Sequence, residues 1–359
     1  MRHFNLLQSM MRRASVDLLL VTPGADLHYL TGYAAVDSER PTVLVLQAGV
    51  EPFLLLPRLE EPRVSKGPVP TVAYEETDDP FAVLAGNLGA LPEKPGIAIS
   101  DQARAAVVLG VQEALAGELR LASPLLGQLR MRKSADEIAM LEQAAQIADE
   151  AFADIVRRPF AGRTEQDVAA ELRRILSAQG LDEAGWGPIV GSGPNSASPH
   201  HITSERIIQG GDAVILDFGG QVAGYQADIT RTVHVGQPDE RFLNVYGIVR
   251  DAQQAGVEAA RPGIAAEDID RAARGVITEA GFGKQFVHRT GHGLGLEVHE
   301  QPFMIEGNDL ILEPGMVFSV EPGIYVSGEV GVRIEDIVVV EPGGSRRLNH
   351  ASRDIVTVR

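Results

Sequence analysis

Cysteine is absent from this 359-residue chain. That excludes a disulfide framework and any thiolate nucleophile or thiolate metal site, and it suits the reducing cytoplasm. Long apolar runs are also missing: none approaches the roughly 20 residues that a membrane-spanning helix needs. The stretch from Met1 to Ser15 has neither the continuous apolar segment nor the small-residue cleavage site of a secretory signal. Basic charge is scarce, with 32 Lys and Arg against 49 Asp and Glu and a formal net charge of -17. No basic patch is left to neutralise a phosphate backbone, so neither nucleic acid nor an anionic membrane is an expected partner. GFGKQF (281–286) lacks the hydroxyl residue and the spacing of a phosphate-binding loop. A soluble intracellular protein is the expectation.

What is present fits two folded cores. The first third alternates short apolar runs, VDLLLV (16–21), TVLVLQ (42–47), PFLLL (52–56) and GIAIS (96–100), with helix-like segments at 81–91 and 103–119. This predicts an α/β domain over residues 1–125. The pattern breaks around Pro124 to Lys133. Ser134 and Glu137 then form the Ser-x-x-Glu of a capping box ahead of a long helix, which opens a second, α+β domain over residues 130–359. Its expected elements are a helix at 165–179, a glycine-rich loop at 185–195 and strands at 213–218 and 226–234. Helices at 242–260 and 265–280 and strands at 316–320 and 332–340 complete it.

HRTGHGLGLEVHE (288–300) concentrates histidine, glutamate and glycine. His288 and His292 are four apart, the spacing of a zinc-binding helix. Gly291, Gly293 and Gly295 would each cost such a helix about 1 kcal/mol, so a loop or distorted strand is predicted, one needing unusual backbone angles or close approach. Acids also fall in otherwise apolar runs. VILDFGG places Asp217 at the end of an apolar run and YQADITRT carries Asp228, with glycines between them for a hairpin turn. In MVFSVEPG a strand-like run ends at Glu321 before Pro322 and Gly323, and GVRIEDIVVV carries Glu335 and Asp336. Alternation puts Arg333, Glu335 and Ile337 on one face and Asp336 on the other; periodicity does not choose between the two acids. Four buried carboxylates would repel one another unless cations lay among them. With neutral His292 as a fifth ligand they would balance two divalent ions, and oxygen and nitrogen ligands without sulfur suit Mn, Co or Zn. Two ions about 3.5 to 4 Å apart can hold and activate a bridging water for hydrolysis.

These segments, in this order, resemble the pita-bread metallopeptidases that include methionine aminopeptidase, aminopeptidase P and prolidase. The resemblance runs from about Arg130 to the C-terminus. It implies Asp217 as ligand of one metal, Asp228 and Glu335 as bridges, and His292 and Glu321 as ligands of the other. Glu321 would also shuttle the proton of the attacking water. His200, in SGPNSASPHH, matches a histidine that contacts substrate near the scissile bond, and His299 one that stabilises the tetrahedral intermediate. The α/β domain, with LHYLTGYAAVDSERPTVLVL, resembles that of the bacterial Xaa-Pro peptidases rather than methionine aminopeptidase. The retained ligands set the chain apart from metal-free binding proteins of the same fold.

The resemblance therefore implies hydrolysis of the Xaa-Pro bond with two divalent ions, Mn foremost, by a homodimer acting on small peptides. Prolidase is the preferred reading, with aminopeptidase P the alternative. Many prolidases carry an arginine shortly after HE-x-P, and Phe303 stands there instead. Arg40, in the DSERP loop, is either the reader of the substrate carboxylate or an ion-pair partner of Glu39 or Asp37, and Arg333 is the further arginine expected at the substrate. Trp186 and Tyr225 either line the substrate pocket or serve buried aromatic packing. His288 is either a partner of the metal ligands or an ordinary hydrogen-bonded histidine.

Overall fold

The computed structural model describes residues 2–64, 67–183 and 186–359. Gly185, the first residue of the expected glycine-rich loop, lies outside them, as does Met1. The chain divides into two compact units, Met1–Arg130 and Met131–Arg359.

The first unit is built on β1 (Leu18–Val21), β2 (Val43–Gln47), β3 (Phe53–Pro57), β4 (Thr71–Tyr74), β5 (Gly96–Ile99) and β6 (Glu118–Leu121). They form one mixed sheet in the order β4-β3-β2-β1-β5-β6. Strand periodicity explains why its central strands are apolar throughout. Leu19, Val21, Leu44 and Leu46 face the helix Arg2–Arg13 through Phe4, Leu7 and Met11. Leu18, Leu20, Val43 and Val45 face the opposite layer, where Val107 and Val111 belong to the helix Ala105–Leu115. Both faces are covered, as a buried α/β sheet requires.

Three expectations are corrected by this unit. The helix expected to reach residue 119 stops at Leu115, because Ala116 adopts a left-handed conformation with φ 46°, and the chain turns into β6. The break at Pro124–Lys133 is mostly a helix, Ser123–Met131, since proline is tolerated in a first turn. β4 was not anticipated, being only four residues long and half-buried.

The second unit opens with the helix Ala135–Ile155, and Ser134 and Glu137 exchange both hydrogen bonds of the capping box. This helix and Glu165–Ala178 pack on one face of a four-stranded sheet. The sheet contains β7 (Ile189–Ser192), β8 (Ala213–Val222) and β9 (Tyr225–Val235). A five-stranded sheet comes next, from β10 (Gly291–Gly293), β11 (Glu300–Met304), β12 (Val317–Val320), the later β15 (Asp336–Glu341) and β16 (Gly344–Arg347). Between β12 and β15 lies a two-stranded ribbon, β13 (Gly323–Val326) and β14 (Val330–Arg333), and β17 (Val356–Val358) completes the first sheet beside β9. The helices Glu240–Ala259 and Ala266–Glu279 cover the five-stranded sheet through Val257, Ile269, Phe318 and Val338.

Alternation then decides where the acids go. Leu216 and Phe218 point into the first helical layer, as do Ala227 and Ile229. Asp217 and Asp228 therefore share the face that the helices leave open. The single strand expected at 332–340 is two, parted at Ile334–Glu335, where Glu335 instead makes an isolated bridge to Thr230.

Candidate metal centre and active site

The β8–β9 hairpin pairs Asp217 with Thr230 and Gly219 with Asp228. The two aspartates are thus diagonal neighbours on one face rather than directly opposite. Glu335 joins them through the break after β14. Its N–H donates to the Thr230 carbonyl at 3.0 Å, and the Thr230 hydroxyl donates to its Oε2 at 2.8 Å. The adjacent Asp336 turns away and meets Arg231 at 2.6 Å, with both side chains 1% exposed. The choice that periodicity left open is resolved by this geometry: Glu335 faces the cluster, and Asp336 is a structural counter-ion.

HRTGHGLGLEVHE contains the short strand β10, bulged between His292 and Gly293, and no helix. The glycines there serve close approach. A Cβ on Gly291 would lie 1.8 Å from the Ser319 carbonyl oxygen, and one on Gly293 would lie 2.3 Å from that of Gln301. Neither residue has a positive φ, so the alternative of unusual backbone angles is not used at these two positions. The tight packing sets His292 beside β12, and its N–H donates to Ser319 Oγ at 3.0 Å.

His292 Nδ1 donates to the Gly293 carbonyl at 3.1 Å, which leaves Nε2 as a bare acceptor. That nitrogen lies 3.3 Å from Glu321 Oε1 and 3.8 Å from Asp228 Oδ2. Burial lowers the imidazole to about 3, so it is neutral and its lone pair faces carboxylate oxygens. Such an arrangement is repulsive unless a cation lies between the groups.

The carboxylates carry the same signature. Burial, then the charges of Asp217 and Glu321, pushes Asp228 well above the usual range. Burial, then Asp228, does the same to Glu335. Burial lifts Glu321 to about 7 against the pull of Arg333. Asp228 Oδ1 and Glu335 Oε1 are buried without a hydrogen-bond partner. Asp228, His292 and Glu335 offer ligand atoms within 4.8 Å of one another. Buried oxygens that are orphaned and share a cluster with a bare imidazole nitrogen suit a hard-to-borderline divalent cation.

A cavity of about 390 Å³ contains Asp217, Asp228, His292, Glu321, Glu335, Arg333, His200 and His299 of the expected set. His299 stands edge-on to His292, their ring centroids 4.2 Å apart. His201 is not in the cavity; its Nε2 meets the buried Glu165 carboxylate at 2.7 Å. Arg333 is committed inside the site. It contacts Asp217 Oδ2 at 2.6 Å and donates to Tyr325 Oη at 2.8 Å and Thr230 Oγ1 at 3.1 Å. Arg40, in the first unit, donates from Nε to both Glu76 oxygens at 3.0 Å and also meets Glu39.

Trp186 lines the cavity, whereas Tyr225 donates to Glu137 at 3.0 Å. His288 also lines it. Its Nδ1 donates to the Arg289 carbonyl at 2.7 Å, so Nε2 accepts from Tyr325 Oη at 2.9 Å. Burial lowers it to about 4. Sequence reasoning missed Thr230, Ser319, Tyr325 and Arg289. Thr230 was legible, two residues after Asp228 on the same strand face; Tyr325 joins the site only through the β13–β14 ribbon, which the sequence did not reveal.

Residues 139–342 match metallopeptidase family M24, and residues 4–132 match the creatinase/prolidase N-terminal domain. The "Probable dipeptidase PepE" of Mycobacterium tuberculosis is 42% identical over 346 residues, covering 95% of this chain and 92% of the relative. The Xaa-Pro dipeptidase of Pyrococcus horikoshii is 33% identical over 349 residues, with 96% of each chain covered. The crystal structure of prolidase from Thermococcus sibiricus superposes with a TM-score of 0.95 at 37% identity, covering 99% of this chain and 98% of that one. The pita-bread architecture is therefore shared, and the buried acids and histidine lie within the matched catalytic region. The chain belongs to metallopeptidase family M24.

Proposed function

We propose that the protein is an Xaa-Pro dipeptidase that cleaves the bond between a first residue and a C-terminal proline. One observation carries the reading: Asp228, His292 and Glu335 converge, with two carboxylate oxygens orphaned, in a cavity that also holds His200 and His299. Relatives named Xaa-Pro dipeptidase support it.

In this reading Asp217, Asp228, His292, Glu321 and Glu335 would hold two divalent ions, with manganese assigned first and cobalt or zinc as alternatives. Bound there, the ions supply Lewis-acid polarisation of the scissile carbonyl and lower the pKa of the attacking water. The remaining steps fall to side chains. Glu321 accepts the proton released by the water and returns it to the departing proline nitrogen, which leaves as a secondary amine. His200 and His299 donate to the scissile region and to the developing oxyanion. Arg333 holds Asp217 in place and carries one positive charge into the acidic cluster. Restriction to dipeptides needs a cation that reads the C-terminal carboxylate; Arg40, which pairs with Glu76 and Glu39, is the candidate from the first unit. The proposed form is a homodimer in the cytoplasm, with a small peptide as the partner.

The test is hydrolysis of Ala-Pro, Leu-Pro, Met-Ala and a proline-containing tripeptide after loading with Mn, Co or Zn. Cleavage of the two Xaa-Pro dipeptides above the others supports the proposal. A preference for the tripeptide makes the protein an aminopeptidase P, and no metal-dependent cleavage of any of the four overturns the reading.

A further inference from the structure

The cavity contains a second arginine that the mechanism above does not use. Arg289 lines it beside His292, His299 and Glu321. Arg333 spends its donors on Asp217, Tyr325 and Thr230. Among the described residues the Arg289 guanidinium has no carboxylate or other hydrogen-bond acceptor. It stacks on Phe303, with Cζ 4.3 Å from the ring centre, and feels the charge of Glu321. Burial weakens its hold on its proton. A half-buried cation with open donors is costly unless an anion arrives.

We propose that Arg289 binds the C-terminal carboxylate of the substrate and so selects peptides that end in free proline. The inference rests on the dipeptidase reading. Position and rigidity both support it. β10 pairs with β11 in a register that sets His292 opposite Phe303, which brings the two segments together. The Phe303 ring serves as a plate for a guanidinium supplied from the neighbouring segment. Stacking holds the plane of the guanidinium and leaves its edge free for a two-point contact with a carboxylate.

The backbone on either side is pinned. Arg274 donates to the His288 carbonyl at 2.7 Å, and Asp270 accepts from the Thr290 N–H at 3.1 Å and from its hydroxyl at 2.8 Å. The Arg289 carbonyl itself accepts from His288 Nδ1. The guanidinium is therefore mounted on a fixed segment before substrate enters, which limits the ordering cost of binding.

The test compares Ala-Pro with Ala-Pro-amide, which lacks only the terminal charge, in Mn-loaded enzyme. Wild type is expected to favour the acid by at least about tenfold in kcat/KM, as a charge-assisted contact implies. Arg289→Met should bring that ratio close to one, and Arg289→Lys should leave an intermediate value. Because the ratio is taken within each variant, a general loss of activity does not disturb it. Phe303→Leu, which removes the plate, should lower the ratio through KM rather than kcat. Calorimetry with L-proline and L-prolinamide gives a second readout: wild type should prefer the acid and Arg289→Met should not. If wild type cleaves neither peptide, the dipeptidase reading fails. If wild type discriminates and Arg289→Met does so equally, the inference on Arg289 is overturned while that reading stands. Loss of discrimination in Arg40→Ala but not in Arg289→Met would assign the role to Arg40 and overturn it too.

Discussion

The Thr230 hydroxyl donates to Glu335 Oε2 at 2.8 Å, while Glu335 Oε1 is left buried without a partner. One oxygen is held by the protein and the other is available to a cation. Thr230 Oγ1 in turn accepts from Arg333 Nε at 3.1 Å, so the threonine couples the cluster's arginine to one of its buried acids. Partners that orient a ligand in this way commonly govern metal affinity.

Thr230→Val keeps the shape of the side chain and removes that hydroxyl. The expected result is a metal affinity weaker by about 10- to 100-fold, with the fold retained. Isothermal titration with Mn, alongside far-UV circular dichroism, measures both. An unchanged affinity would show that the backbone bridge alone positions Glu335.

The metal-free protein should lose stability as pH rises. Folding raises Glu321 from 4.5 to about 7 and raises Asp228 and Glu335 as well, through burial first. The folded state therefore binds more protons than the unfolded one across that interval, and the unfolding free energy falls with increasing pH. With EDTA present, the melting temperature should drop between about pH 4.5 and 7. Mn should remove the drop, since bound cations offset the carboxylate repulsion. A melting temperature that climbs through the same range in EDTA contradicts the buried cluster.

Glu335 and Asp336 show what sequence alone resolves. Alternation assigned them to opposite faces, but which of them joins the buried cluster depended on Arg231, more than 100 positions away in the chain, arriving opposite Asp336. The hairpin carrying Asp217 and Asp228 was readable because glycines and apolar alternation are local signals. The β13–β14 ribbon was not, since the residues of β14 read as one continuous strand with those of β15. Arg289 escaped notice because Phe303, on which it stacks, reaches it only across a strand pair, which spacing does not encode. The 123–131 helix was hidden by a proline that marks a helix start as readily as a break.

Asp336 accepts from Gln253 at 3.0 Å, besides pairing with Arg231, and Arg347 and Arg353 lie 3.2 and 3.8 Å from its Oδ2. Asp336→Ala would leave several guanidinium groups around an uncompensated buried site. The expected cost is about 3 to 5 kcal/mol in chemical denaturation. A loss under about 1 kcal/mol would mean that the arginines find other acceptors or water.

His200 and His201 are adjacent in sequence and should separate cleanly by experiment. His200 is exposed and lines the cavity, and among the described residues no hydrogen bond or ion pair holds it; His201 binds Glu165, which is 0% exposed. Burial pushes Glu165 up, yet hydrogen bonds from Ser204, Ser192, His201 and Asn195 outweigh it and bring the carboxyl down to about 2. Removing His201 takes one donor from a buried anion. His201→Ala should therefore cost about 1 to 3 kcal/mol in stability, most visible above the pH at which Glu165 ionises. His200→Ala should leave the melting temperature within a degree or so, because an exposed side chain with no partner contributes little. Its kcat/KM for Ala-Pro should fall by about 100-fold if it donates to the reacting group. Denaturation curves and initial rates on the two variants give opposite patterns under this assignment. Matching patterns would mean that the loop at 198–204 acts as one unit, and that neither histidine owns a distinct task.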